Sequence, residues 1–595
     1  MSPRLTKICC CLSITFLGIL VYGNHLHNTF QFDSVAYIKN NLLLKDPESI
    51  ISLKFWIMGF FSRGLLFISL AINTYLDGLR SFGYHVFNLS LHILNSILVF
   101  YIFQKVLVQF RNQIQTSDND VSISFVAASI FLIHPIQTES VIYIITRSEI
   151  LASTFYLCGF LIFQNFLELK IPKRLLKKTF LFLSIIFFAV VGFSVKQTLA
   201  TFPLILFLYY IATCPLDSFT IKLLYKWRKH LIIVISVFLT LLFYKLLNDE
   251  TFLIGPSNPD EMVGRAKYML SQPSVIIFYY LKKILFPINL NIDPDIEVVT
   301  HIFSFGFISG IGSIVFMIYY FLKQGEWRFY LFFLAWFFII LSPSSSIVTL
   351  HDLAAEHRIY LALPGVIFIV SYGIFCFLKN LTYTKVVNML GLKILVLFQI
   401  ILLFGILTIE RNKVWRTELS LWKDSYKKSP EKIRPLINLA RAHSIDGNQE
   451  VAIRYYEKSL LKAPGVFVPN YNLGELYLKD NRMEDAIIRF KTALQLNPNI
   501  PETYSKLGEI YLKQKNWKLA DFYFKKCIEI DNRFPQVFKN LGILHFYHLK
   551  NLKESLLYFS KSLALDPKQK DASEISKLIS KYQRGKLNLP SQKGP

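Results

Sequence analysis

The first 410 residues of this 595-residue chain are filled by one apolar run after another, each close to the roughly 20 residues that span a bilayer core. A chain built this way has few folds open to it. In hydrocarbon every backbone amide must find its partner inside the segment, so runs of this length predict transmembrane helices. The expected spans are 5–22, 86–109, 122–137, 149–168, 179–195, 197–213, 230–247, 303–322, 329–345, 364–378 and 389–409, about eleven in all. Composition agrees, with 53% hydrophobic residues, 54 Phe and a mean hydropathy of +0.40. Residues 274–287 are also apolar, but Lys282 and Lys283 interrupt them, which suits a helix lying in the interface or re-entering.

The formal charge of +25 would suit a nucleic-acid partner, yet its placement argues otherwise. The excess sits in short loops at Lys105–Arg111, Lys170–Lys178, Lys222–Lys229, Lys323–Arg328 and Lys379–Lys385, the pattern of cytoplasmic loops. No nucleic-acid role follows. Arg4 and Lys7 precede the first run, and no small-residue cleavage site comes after it, so it reads as an uncleaved span with its N-terminus inside. The opposite loops, 23–85, 138–148, 247–302 and 346–363, hold most acidic and His residues. An odd number of spans puts the C-terminal region on that same outer side. Seven Cys without a CxxC pair give neither a disulfide framework nor a zinc site.

From Arg411 onward the chain is polar, Lys-rich and periodic. Leu439-Ala440, Leu473-Gly474, Leu507-Gly508 and Leu541-Gly542 recur at a 34-residue interval, followed in phase by Ala452, Ala486, Ala520 and, one residue late, Ser555. Tyr456, Phe490, Phe524 and Phe559 come next, and Pro430, Pro464, Pro498 and Pro567 close the units. This is the signature of tetratricopeptide repeats (TPRs), an α-solenoid that usually binds peptides or proteins. The small residues let the two helices of a repeat approach closely, and the aromatics are expected to fill the gap to the next pair. The expected domains are a membrane bundle over 1–410, a linker and N-terminal cap containing Trp415 and Trp422 over 411–430, repeats and a capping helix over 431–584, and a disordered tail over 585–595.

The outer loops carry the chemistry. Asp33 follows a span by about ten residues, where a carboxylate can accept a proton from an attacking hydroxyl or coordinate a metal. His85, Asn88 and His92 share one helix face at i, i+3, i+7 spacing, suited to hydrogen bonding or phosphate contact. His134-Pro135 ends the third span, ahead of Glu139, Arg147 and Glu149; Lys196 lies between two spans; Glu356-His357-Arg358 comes late. Arg63, Arg147, Lys196 and Arg358 could jointly grip a phosphate or diphosphate head group.

Taken in order, Phe32-Asp33 with Ala36-Tyr37-Ile38, Phe82-Gly83-Tyr84-His85 with Asn88 and His92, His134-Pro135 with Glu139 and Arg147, Lys196-Gln197-Thr198, and Glu356-His357-Arg358-Ile359-Tyr360-Leu361, then the repeats, resemble the transmembrane-and-TPR O-mannosyltransferases and their bacterial relatives. The resemblance implies the GT-C glycosyltransferase fold. It also implies inverting transfer of a sugar, most often mannose, from a polyprenyl-phosphate carrier to a Ser or Thr hydroxyl, with Asp33 as catalytic base. With placement, it makes Arg63, His85, Asn88, His92, His134, Glu139, Arg147, Lys196, Glu356, His357 and Arg358 the candidate substrate-binding set. Ser34 stands where relatives often have a second acid, leaving one carboxylate where a metal site would use two, so a divalent metal is an open alternative that the residues do not support. The expected partners are the lipid-linked donor, membrane lipid and a protein acceptor held by the repeats. A non-catalytic membrane scaffold, or an enzyme glycosylating a glycan or lipid, are the competing readings. The Phe-, Ile- and Lys-rich usage suggests a bacterial cytoplasmic membrane with periplasmic repeats; a eukaryotic chain would place them in the endoplasmic reticulum lumen.

Overall fold

A computed structural model describes residues 2–39, 64–111, 114, 120–169, 175–213, 263–347, 349–381 and 389–583. Among these, every regular element is helical, and the chain divides into two compact units, Met1–Ser429 and Pro430–Pro595. The first unit contains α1 (Pro3–Tyr22), α2 (Gly64–Asp77), α3 (Ser81–Gln109), α4 (Asp120–Ile133), α5 (Thr138–Ile142), α6 (Arg147–Glu168), α7 (Leu175–Val195), α8 (Phe202–Thr213) and α9 (Arg265–Ser274). It continues with α10 (Lys282–Leu285), α11 (Phe305–Leu322), α12 (Trp327–Ser342), α13 (Leu363–Leu381), α14 (Met389–Val414) and α15 (Glu418–Lys428).

Helix α3 organises this bundle and packs against α1, α2, α4 and α6. Its C-terminal half buries Val99, Ile102, Phe103, Val106 and Leu107 in the apolar core, where the Phe103 ring stacks on Phe368 at 3.7 Å. Its N-terminal half instead buries Tyr84, His85, Asn88, His92, Asn95 and Ser96. One helix thus runs from an apolar layer into a polar one.

Among the described residues, seven helices are long and apolar enough to cross a membrane. They answer the expected spans 5–22, 86–109, 149–168, 179–195, 303–322, 329–345 and 389–409. The span 122–137 is α4 and α5 bent by 47° at His134-Pro135. Pro135 cannot continue the helix, and the His134 ring accepts the Ile136 N–H at 3.2 Å, starting a new turn. The helices answering 197–213 and 364–378 are shorter apolar ones, Gln197–Thr213 and Leu363–Leu378, and 230–247 lies outside the described residues. Helix α2, expected to be outer loop, is another short apolar helix. Residues 265–285 form a continuous helical stretch that buries Tyr268, Ser271, Gln272, Val275 and Tyr280 within the unit.

Residues 411–429, expected to be a linker and repeat cap, pack into the membrane unit. Trp415 and Trp422 are fully buried, Trp415 stacks on Tyr143 at 6.0 Å, and Trp422 lies 5.5 Å from the Phe32 ring. Lys428 donates to the Leu290 carbonyl at 2.7 Å, and the Ser429 hydroxyl to that of Asp293 at 2.9 Å.

The second unit pairs α16 (Ile433–Ile445) with α17 (Gln449–Lys462), α18 (Phe467–Lys479) with α19 (Met483–Leu496), α20 (Pro501–Lys513) with α21 (Trp517–Ile530), and α22 (Pro535–Tyr547) with α23 (Leu552–Leu565). Helix α24 (Ala572–Gln583) packs on α23, and the expected tail lies outside the described residues. The repeated aromatics pack within their own repeat, and they also reach the next: the Tyr456 hydroxyl accepts from Asn472 at 2.9 Å, and Phe559 clusters with Ile575. A Cβ at Gly474 would meet Phe490 at 2.8 Å, one at Gly508 would meet Phe524 at 2.5 Å, and one at Gly542 would meet Phe559 at 2.6 Å. Glycine is required because the ring of the second helix lies directly on the backbone of the first. Gly508→Val should therefore destabilise the repeat unit by about 1–3 kcal/mol through overpacking. Gly465→Ala, where nothing lies within 4 Å, should leave it unchanged. Thermal unfolding followed by protease sensitivity of the repeats checks both.

Candidate active site

The i, i+3, i+7 face of α3 is buried and used for hydrogen bonding. The His92 Nδ1 shares a hydrogen bond with the Tyr360 hydroxyl at 2.8 Å, and Nε2 meets the Leu132 carbonyl at 2.8 Å. Asn95 donates to the same Tyr360 oxygen at 3.1 Å. The His85 Nε2 reaches the Asn28 carbonyl at 3.1 Å, with the ring edge-on to His25 at 5.0 Å. Asn88 donates to the Val141 carbonyl at 3.3 Å and accepts from Arg147 Nε at 2.7 Å.

Arg147 has no exposed surface. Beyond Asn88 it donates to the Ser69 carbonyl at 3.0 Å and the Tyr84 carbonyl at 3.1 Å, with its guanidinium 4.5 Å from the Phe87 ring centre. This is how a buried cation is tolerated: the planar fork matches several acceptors at once. It fastens α2, α3 and the start of α6 together. His134 is likewise buried, its Nε2 at 2.9 Å from the Ile284 carbonyl. These five residues of the candidate set, His85, Asn88, His92, His134 and Arg147, form an inner hydrogen-bonded frame.

A second group gathers around them. The exposed Asp33 donates its backbone N–H to the Tyr143 hydroxyl at 3.3 Å. Burial, and then the Asp33 carboxylate beside it, push the Tyr143 hydroxyl well above its usual range, so it stays protonated. One turn before Tyr143, the buried Glu139 grips His357 at two points, Nδ1 at 2.7 Å and the backbone N–H at 3.1 Å. That grip fixes the imidazole orientation. Neighbouring Glu356 is buried, accepts the Asn291 N–H at 2.6 Å and lies 3.7 Å from Arg411. Burial pushes its carboxyl up to about 7 against the pull of Arg411. Arg358 donates to the Tyr268 hydroxyl at 3.3 Å, and Lys196 pairs with Glu149. Arg63 lies outside the described residues. Asp33, Glu139, Glu356, His357 and Arg358 are thus brought together through Tyr143 and the 3-10 turn Glu356–Ile359. Among the described residues no three His, Cys, Asp or Glu side chains cluster as metal ligands would. Tyr143, Asn291, Arg411 and Glu418 adjoin this group and were not singled out from sequence; for Arg411 and Glu418 the available signal was charge in the segment after 410, and for Tyr143 and Asn291 there was none beyond residue type.

The repeat unit matches the TPR repeat over residues 474–515 and the tetratricopeptide repeat over 501–534. Over 462 residues the chain is 25% identical to protein O-mannosyl-transferase F38B6.6 of Caenorhabditis elegans, covering 75% of this chain and 61% of that protein. The chain is similar to a protein of this name over three quarters of its length. It is also 30% identical over 160 residues to protein O-mannosyl-transferase TMTC1 of Mus musculus, covering 25% of this chain and 16% of that one. The chain therefore spans less than two thirds of the length of these relatives. Among solved structures, MamA 41-end from Desulfovibrio magneticus RS-1 covers 26% of the chain and 85% of its own, at 20% identity and a TM-score of 0.24.

Two outcomes follow from the site's electrostatics. Arg147→Lys keeps the charge but loses the fork, leaving buried acceptors unsatisfied, and should lower stability by about 1–3 kcal/mol or more in thermal unfolding. For Glu356, a folded carboxyl raised from 4.5 to about 7 binds its proton more tightly folded than unfolded. Its stabilisation is complete at low pH and lost as pH rises through about 7. The melting temperature should fall between about pH 5 and pH 8, and Glu356→Gln should flatten that fall.

Proposed function

We propose that this chain is a membrane O-glycosyltransferase moving a sugar, in the first instance mannose, from a polyprenyl-phosphate carrier to a Ser or Thr hydroxyl of a protein. The observation that carries this reading is the placing of Asp33 against Tyr143, with the Glu139–His357 pair and Arg358 adjoining, in a chain similar to named O-mannosyl-transferases. Asp33 accepts the proton of the attacking hydroxyl. The acceptor oxygen bonds to the anomeric carbon as the bond from that carbon to the phosphate oxygen breaks, inverting the centre. The lipid phosphate departs with the electron pair and is met by hydrogen-bond donors, for which Arg358, Lys196 and the His357 imidazole are the candidates. The inner frame, His85, Asn88, His92, His134 and Arg147, holds the helices that present them. A lipid carrier suits a site at the end of a membrane bundle, its phosphate at headgroup depth and its chain in the bilayer.

The fold in this reading is of GT-C type, and the repeats hold the acceptor protein on the outer face, periplasmic in a bacterium or lumenal in the endoplasmic reticulum. The test uses purified full-length protein, polyprenyl-phosphate mannose and a Ser/Thr-containing acceptor. Asp33→Asn should reduce transfer by about 10²–10⁴-fold, the usual contribution of a general base. Equal transfer by wild type and variant would remove Asp33 from the chemistry. No transfer by either would favour a scaffold.

A further inference from the structure

Phe32, the residue before Asp33, has a φ of +52°. Such a left-handed backbone is an outlier for a bulky aromatic residue and persists only where its surroundings impose it. The surroundings here come from the segment after α14. The Phe32 N–H donates to Glu418 Oε1 at 3.0 Å, and its ring lies 5.5 Å from Trp422 and 5.9 Å from Tyr143. The preceding residues run along the same segment: the Thr29 N–H meets the Arg416 carbonyl at 3.3 Å, and the Gln31 amide donates to the Trp415 carbonyl. Glu418 opens α15, whose start is set by the reciprocal capping box of Thr417 and Ser420. A rigid helix end therefore presents the acceptor that holds Phe32.

We propose that Glu418 is a positioning residue for Asp33, its carboxylate and the Trp422 ring fixing the left-handed turn at Phe32 that sets the direction of the Asp33 side chain. The two consecutive amides at 32 and 33 each have a fixed acceptor, one in Glu418 and one in the Tyr143 hydroxyl, so the backbone on both sides of Phe32 is tied to its surroundings. Without Glu418 the aromatic residue relaxes toward extended backbone and the carboxylate leaves its place. This rests on the reading of Asp33 as the base.

The test measures kcat and KM for polyprenyl-phosphate mannose with a synthetic Ser/Thr peptide, using the full chain. A misplacement of about 1 Å can cost on the order of 10²-fold, so Glu418→Ala should lower kcat by about 10–100-fold with KM for the donor within about twofold. Glu418→Gln, whose amide oxygen still accepts the Phe32 N–H, should restore kcat to within about threefold of wild type. Because Glu418 acts only through Asp33, the double variant Asp33→Asn with Glu418→Ala should be no slower than Asp33→Asn alone. If the alanine variant does not fold, Glu418→Asp decides the point: it keeps the charge, draws the acceptor back by one methylene, and should lower kcat at unchanged KM. Wild-type kcat in Glu418→Ala or Glu418→Asp overturns the positioning role, as does an equal loss in the alanine and glutamine variants or a further full loss in the double variant. If Asp33→Asn is inactive while Glu418→Ala is fully active, only the positioning role falls; if Asp33→Asn is fully active, both readings fall.

Discussion

The arrangement of the polar end of the bundle depends on one fully buried guanidinium. A charge taken out of water is tolerated only where fixed dipoles replace its hydration, and Arg147 finds them in Asn88, Ser69 and Tyr84. Those acceptors belong to α2 and α3, so satisfying one side chain fixes the approach of three helices. Asn88 transmits the constraint, since its amide nitrogen is bonded to the Val141 carbonyl of α5. Helix α5 carries Glu139 and leads directly into Tyr143. The orientation of the groups around Asp33 therefore descends, bond by bond, from a residue that does not reach the surface.

The polar residues form two tiers with different physical states. In the inner tier both ring nitrogens of His92 are engaged, and Asn88 and Arg147 are bonded from both sides. Such groups rigidify a core. In the outer tier Asp33 is exposed, and a quarter of the His357 side chain remains accessible although Glu139 holds it from one side. A side chain oriented by its neighbours yet open to a ligand is what acid–base work requires.

The apolar runs were legible because the length and hydropathy that a bilayer demands are properties of a segment by itself. The 34-residue period was legible for the same reason, since each repeat needs the same close helix contact. What escaped were facts about partners. The Gly508–Phe524 contact shows in the sequence as two recurring positions, but only the packed pair shows that the ring covers its own repeat. Arg147 looked like a phosphate ligand because residue type gives charge and not burial. The 47° bend at His134-Pro135 divides a run that hydropathy reads as one. Asp33, His357 and Arg358 stand out by their order along the chain, whereas Tyr143 joins them only through its contact with Asp33.

The segment 411–429 shows the same failure with the largest consequence. Its local pattern, two tryptophans ahead of a repeat array, reads as a cap, yet its side chains turn to the membrane unit. Arg411 lies between Glu356 and Asp424, Glu418 holds the backbone of Phe32, and Lys428 and Ser429 fasten the loop at Leu290 and Asp293. Three stretches far apart in sequence, near residues 32, 291 and 356, are thereby gathered by one short run of chain. None of them has a regular element long enough to fix its own position, and irregular backbone at a protein end stays put only where its amides and charges are satisfied. The folded membrane unit accordingly extends to Ser429. A boundary at residue 410 would divide Glu356 from its nearest cation and Phe32 from the carboxylate that holds its backbone.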